Sequence, residues 1–261
     1  LDAIAGTGIP FYYVSTAYVG GAGRDTAHEH ELRQQQDVQN CYEHSKVECE
    51  RLIERLFHDG TLTGAIFRPS ILTGAASDGH IVQFLNFYAF LRLIDGAIHG
   101  RIPLQPHTRI LMNPDSTMNL IPVDWAAAAL WRIIARAFPT PAVYHLTHPD
   151  PPKQQIILDW ANSRLPAGTS VVGRCVLTEP VLWPERLALR QLQPYRNYML
   201  GECRFDRTNT DAALAGTLPV PPVNGPYFDL LLEYARARQW RRLFAPSRNT
   251  RAPAIPQVYT D

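Results

Sequence analysis

Apolar and polar residues recur at two different periods along this chain, and the order of those periods outlines its architecture. Ile9 to Thr16 (Ile-Pro-Phe-Tyr-Tyr-Val-Ser-Thr) is rich in aromatic and β-branched residues and predicts a buried strand. Residues 17–37 form a connection, glycine-rich and then polar. Over 38–58 the period becomes helical. Val47, Leu52, Ile53 and Leu56 make an apolar stripe, while Glu48, Glu50, Arg51, Glu54 and Arg55 make a wet face. Asp59-Gly60 ends that helix. Thr61 to Arg68 predicts a second strand, stopped by Pro69, and 80–98 an apolar, aromatic helix. Residues 117–122 lead into a helix over Ala126 to Ala137, with Asp124 placed to cap it, and Ala142 to Leu146 is a third strand.

Strands alternating with helices imply an α/β fold built on a parallel sheet. Past Pro149, prolines cluster at 149, 151 and 152 and the texture changes. A helix (154–165), a strand (170–177), a mixed helical stretch (180–200) and a final helix (227–243) predict a smaller α+β lobe. The division expected is therefore a nucleotide-binding part over 1–148, a substrate lobe over 149–244 and a flexible tail over 245–261.

Composition narrows the function. With 25 basic and 24 acidic residues the net charge is +1, which gives no electrostatic case for nucleic acid. Four cysteines show neither metal spacing nor short-range pairing, the usage of a reduced, cytoplasmic protein. No uninterrupted apolar run is long enough for a transmembrane segment, and no signal peptide opens the chain. His28-Glu29-His30-Glu31 lacks the His-Glu-x-x-His spacing, so it reads as a solvated polar stretch and no metal is expected.

The chemistry concentrates on Tyr42 and Lys46. Four residues apart on a helix, they share a face. Only two of the 25 basic residues are lysines, Lys46 and Lys153, and lysine is not interchangeable with arginine here. A free phenol titrates near about 10, and a neighbouring ammonium lowers that value. Lysine has donors to spare for ribose hydroxyls. Thr16, at the end of the first strand, supplies a second hydroxyl. Thr16 and Tyr42 together would stabilise the oxyanion formed as hydride reaches a carbonyl, with Tyr42 giving the proton. Other features read more plainly. Phe84, Phe87, Tyr88, Phe90 and Leu91 read as core, an acyl channel being the other reading. Arg236, Arg238, Arg241 and Arg242 with Trp240 read as a solvated helix end, an anionic lipid or phosphopantetheine contact being the other. Cys41 and Cys49 read as packed against the sheet.

Tyr-Val-Ser-Thr-Ala-Tyr-Val (13–19), Tyr42-x-x-x-Lys46 and Phe-Arg-Pro-Ser-Ile-Leu-Thr-Gly (67–74) come in the order used by extended short-chain dehydrogenases/reductases. Asn119 to Trp125, Tyr144 to Thr147 and Phe205-Asp206-x-x-Asn209-Thr210 resemble the branch of fatty acyl-CoA and thioester reductases, the "male sterility" type. The similarity runs from about 9 to 242. It implies a Rossmann-like parallel sheet with a smaller α+β substrate lobe. It implies NADPH, or NAD, as cofactor and a small-molecule or carrier-bound acyl thioester as substrate, reduced to an aldehyde or alcohol. Residue by residue, Thr16, Tyr42 and Lys46 match the catalytic positions, with Ser15 the alternative to Thr16, and Ser15, Tyr42 and Lys46 also match the cofactor side. Pro69, Ser70 and Ile71 match the loop against the nicotinamide.

The family's Gly-x-x-Gly-x-x-Gly turn is absent. Gly20-Gly21-Ala22-Gly23 has another spacing and opens no helix. The sequence thus resembles the C-terminal portion of such an enzyme, with the first half-sheet absent, and is expected to bind dinucleotide poorly alone. An epimerase, dehydratase or 3β-hydroxysteroid-type member of the superfamily is a second reading. An inactive fragment or interaction module on the fold is a third. Pairing with a missing N-terminal half, or with a second copy, is left open by the sequence.

Overall fold

The computed structural model describes residues 1, 3–20, 25–32, 40–136, 142–179, 181–201 and 203–241. The tail over 245–261 and most of the Gly20–Gly23 run lie outside them.

Every named strand pairing is parallel. β1 (Phe11–Val14), β3 (Gly64–Pro69) and β7 (Ala142–Leu146) form one sheet in the order β1-β3-β7. Parallel neighbours need a crossover, and α1 (Cys41–His58) supplies the one between β1 and β3. All six residues of β3 are buried, because helices cover both of its faces. Ile66 packs with Ile53 and Phe57 of α1. Ala65 and Phe67, on the opposite face, pack under α3 (Val123–Ala135) and α7 (Thr208–Leu214).

Three further pairs of short strands surround this sheet. β2 (Thr26–Ala27) joins β9 (Arg204–Phe205), β4 (Ile71–Thr73) joins β6 (Leu120–Pro122), and β5 (Thr108–Leu111) joins β8 (Val171–Arg174). α2 (Phe87–Ile98), α4 (Gln154–Asn162), α5 (Trp183–Leu192), α6 (Arg196–Leu200) and α8 (Gly225–Ala237) complete the chain. The largest apolar cluster takes Phe87, Phe90 and Leu91 from α2 together with Ile157, Leu192 and Phe228 from the later elements. The β5–β8 ladder crosses position 148 as well, so packing is continuous across the expected domain division.

Several expectations change in detail. The helix expected over 80–98 begins only at Phe87. Asp124 does not cap α3, whose N-cap is Pro122; its carboxylate accepts instead from the amides of Ala76 (3.0 Å), Ser77 (3.4 Å) and Trp125 (2.9 Å). Cys41 and Cys49 are exposed rather than packed on the sheet. Glu29 is not solvated. It is 1% exposed and accepts from the backbone of His145 (2.8 Å) and Asn209 (2.5 Å) and from both donors of Thr210. Those donors compensate a charge that burial would otherwise penalise heavily. Asp95 likewise takes Arg236 Nε (2.6 Å), Arg101 Nη2 (2.7 Å) and Trp240 Nε1 (3.1 Å), which turns part of the expected solvated arginine end into a clasp between α2 and α8.

Candidate active site

A cleft of about 930 Å³ opens at the carboxyl ends of β1 and β3, where parallel sheets place their ligands. That volume lies at the upper end for small-molecule sites. Thr16, Tyr42 and Lys46 line it, as do Ser15, Pro69, Ser70 and Ile71. The seven residues singled out in the sequence thus share one wall system.

Each is positioned by ordinary backbone physics. Asn40 caps α1, its Oδ1 accepting from Glu43 N (2.9 Å), so Tyr42 falls in the first turn and Lys46 one turn on. Glu50, a turn beyond Lys46, is fully buried and paired with Arg68 of β3. Glu50 accepts from Arg68 Nε at 3.1 and 3.0 Å and from Nη2 at 2.6 Å. This pair locks the helix to the central strand. Ser15 N donates to Phe67 O (2.7 Å), continuing the ladder just beyond β1. Between β3 and β4 the chain changes partner at Ser70. Ser70 N bonds Leu146 O (3.0 Å) and Ile71 N bonds Asn119 O (3.1 Å). That switch turns Pro69, Ser70 and Ile71 into the cleft.

Lys46 Nζ donates to Val14 O (3.0 Å) and sits 4.9 Å from the Tyr13 ring centre and 5.9 Å from that of Tyr42. One of its three N–H groups is thereby used. Thr16 Oγ1 accepts from Tyr18 N (3.4 Å), which leaves its own proton to donate. Tyr42 keeps 56% of its surface in solvent. Its phenol titrates above the usual value, first because of burial of part of the ring and then because Glu43 is adjacent. This corrects the expectation that Lys46 lowers it. The ammonium is turned to the Val14 carbonyl, and the charge that acts on the phenol is that of Glu43.

Two hydroxyls test whether a nicotinamide fits. Ser15 Oγ and Ser70 Oγ are buried without hydrogen-bond partners, both on residues of the cleft wall. Such orphaned groups cost free energy unless a ligand meets them. They line the same cleft as Lys46, and hydroxyls with an ammonium are a donor set that fits a carboxamide and ribose hydroxyls.

Sequence reasoning missed the opposite wall. Gln193 to Tyr198 closes the cleft from the second half of the chain. Tyr198 Oη donates to Glu43 Oε1 (2.6 Å), Asn40 Nδ2 reaches both (3.0 and 3.3 Å), and the Tyr198 ring lies 4.5 Å from that of Tyr18. The Asn40-x-x-Glu43 spacing is that of a capping box and was a usable signal. Nothing local marks Tyr198, 155 residues beyond Glu43.

Comparison with known proteins bears on the fold. Residues 3–130 match the NAD-binding family model described as male sterility protein. A search of curated proteins finds no match. Among solved structures, the chain is similar to the terminal R domain of the myxalamid PKS-NRPS biosynthetic pathway (TM-score 0.67, 20% identity, covering 89% of this chain and 59% of that one). It is similar to a thiolation-reductase di-domain of an archaeal non-ribosomal peptide synthetase (TM-score 0.62, 19% identity, 89% and 50%). It is also similar to UDP-glucuronic acid 4-epimerase from Bacillus cereus, in complex with NAD (TM-score 0.57, 13% identity, 89% and 62%). The chain therefore spans about half to three-fifths of the length of these structures, and what they share with it is the Rossmann-like fold. No helix among the described residues is long and apolar enough to cross a membrane.

Proposed function

We propose that this chain, whose residues 3–130 match the NAD-binding model described as male sterility protein, is an extended short-chain dehydrogenase/reductase that reduces an acyl thioester with NADPH. The observation that carries the reading is the single cleft in which Thr16, Tyr42 and Lys46 stand with the unpartnered hydroxyls of Ser15 and Ser70.

Lys46 and the Ser15, Ser70 and Ile71 positions would hold the ribose and carboxamide of a nicotinamide, which supplies a hydride when bound. This chain's residues act on the substrate oxygen. Thr16 and Tyr42 donate hydrogen bonds to the thioester carbonyl as it gains negative charge. Tyr42 transfers its proton to that oxygen. An ordinary phenol carries its proton at neutral pH, so Tyr42 has one to give. The resulting hemithioacetal breaks its C–S bond, releasing thiol and aldehyde, and the tyrosine regains a proton from solvent. NADPH over NAD rests on the family resemblance. Carrier-bound rather than free thioester is supported by likeness to a thiolation-reductase di-domain.

The test is single-turnover reduction of an acyl-coenzyme A by the full chain at saturating NADPH. Tyr42→Phe should lower the rate by about 10²–10⁴-fold while leaving binding of reduced nicotinamide mononucleotide unchanged. Retained turnover in that variant overturns the assignment. The same assay with a UDP-sugar separates this reading from an epimerase.

A further inference from the structure

Two spaces lead away from the reactive cleft, and their sizes differ enough to decide which receives the substrate's long part. Behind Tyr195 and Tyr198 lies an apolar crevice of about 20 Å³, walled by Phe87, Phe90, Met118 and Met199. A water-sized group needs roughly 10–15 Å³ of such space, so this crevice takes about one methyl. Phe87 and Phe90 are 4% and 2% exposed and pack in the core. The aromatic face of α2 is therefore not an acyl channel.

The other space is a hollow of about 390 Å³ between α5 and the segment after β8. Gln193 and Arg196 belong to both its wall and that of the reactive cleft, so the two adjoin. Leu111, Leu177, Val181, Leu189 and Leu192 give it an aliphatic side, and Glu179, Gln193 and Arg196 a polar one. By the same measure it has room for a whole alkyl chain. Val176 stands on its rim, 72% exposed.

We propose that this hollow is the acyl-tail subsite, holding the hydrocarbon chain of a medium or long acyl thioester whose carbonyl lies at Thr16 and Tyr42. The proposal rests on the thioester reading of the cleft. The tail leaves the carbonyl, passes the Gln193–Arg196 wall and lies along α5, while the crevice behind Tyr195 accommodates no more than a small branch. Burial of each methylene strengthens binding by about fourfold.

Calorimetric titration of the full chain with octanoyl-coenzyme A and acetyl-coenzyme A tests this. Octanoyl-coenzyme A should bind at least tenfold more tightly. Val176→Asp, on an exposed position, and Leu189→Trp, which fills the hollow, should each erase that preference and leave acetyl-coenzyme A affinity unchanged. Equal affinity of the two probes for the unaltered chain overturns the proposal. So does a preference that survives both variants, a parallel loss for both probes, or binding of neither. These readouts need no turnover. If Tyr42→Phe retains reduction while the chain-length preference holds, the hydride-transfer reading fails and the subsite stands.

Discussion

Glu50→Gln should unfold this protein far more readily, and the structure sets the scale. Both side chains of the Glu50–Arg68 pair are 0% exposed, and the carboxylate engages Nε and Nη2 of the guanidinium together. Arg68 keeps two carbonyl partners, Glu29 O (3.2 Å) and Glu31 O (2.8 Å), but these carry no full charge to balance it. Breaking a buried pair by removing one charge costs about 3–5 kcal/mol. For a chain of this size each kcal/mol moves the melting temperature by roughly 2–4 °C, so a fall of roughly 6–20 °C is expected. Urea denaturation followed by far-ultraviolet circular dichroism at neutral pH reads the free energy directly. The double variant Glu50→Leu/Arg68→Met, which leaves no buried charge, should recover much of the loss. A loss below about 1 kcal/mol in Glu50→Gln would refute the reasoning, as would a double variant as unstable as the two singles combined.

Acid should destabilise the fold well above the usual carboxylate range. His145 titrates at about 3 in the folded chain, first because it is buried and then because Arg68 is near. Below its unfolded value of about 6.5 the unfolded chain takes up a proton that the folded chain refuses, so this contribution is full above about 6.5 and falls as pH drops toward 3, at up to about 1.4 kcal/mol per pH unit. Denaturation curves from pH 7.5 to 4.5 should show that slope, and His145→Gln should flatten it. Gly64→Ala should disrupt the β1–β3 pairing, because Gly64 has φ +144° and an added methyl would overlap the Phe11 backbone. Loss of nicotinamide mononucleotide binding in that variant checks the link between β1 and the cleft. Asp95→Asn should cost about 1–3 kcal/mol by weakening its bonds to Arg236, Arg101 and Trp240. Faster amide exchange over 225–237 would show that α8 is what it secures.

The parts of the fold legible in the sequence were those whose pattern is local. The crossover helix carrying Tyr42 and the strand at 142–146 read directly from periodicity and their end signals. Short strands such as β5, with four residues, carry too little pattern and exist because β8 pairs with them from far along the chain. The side of the candidate cleft that carries Tyr42 and Lys46 was legible because spacing on one helix fixes one face. The pKa direction of Tyr42 was not, because it depends on where the Lys46 side chain turns. Glu29 misled for a related reason: a charged run shows its residue types but not the amides of Asn209 and Thr210 that make burial tolerable.

The segment from Gln193 to Tyr198 has a consequence for how this molecule can diverge. It borders the candidate cleft, the hollow beside α5 and the small crevice at once, yet it belongs to none of the elements that seat Thr16, Ser70 or Lys46. Six consecutive residues therefore act as a tailoring region. Changes from Gln193 to Asn197 would alter which molecules the cleft admits, whereas Tyr198, tied to Asn40 and Glu43, would carry a change into the start of the helix that presents Tyr42.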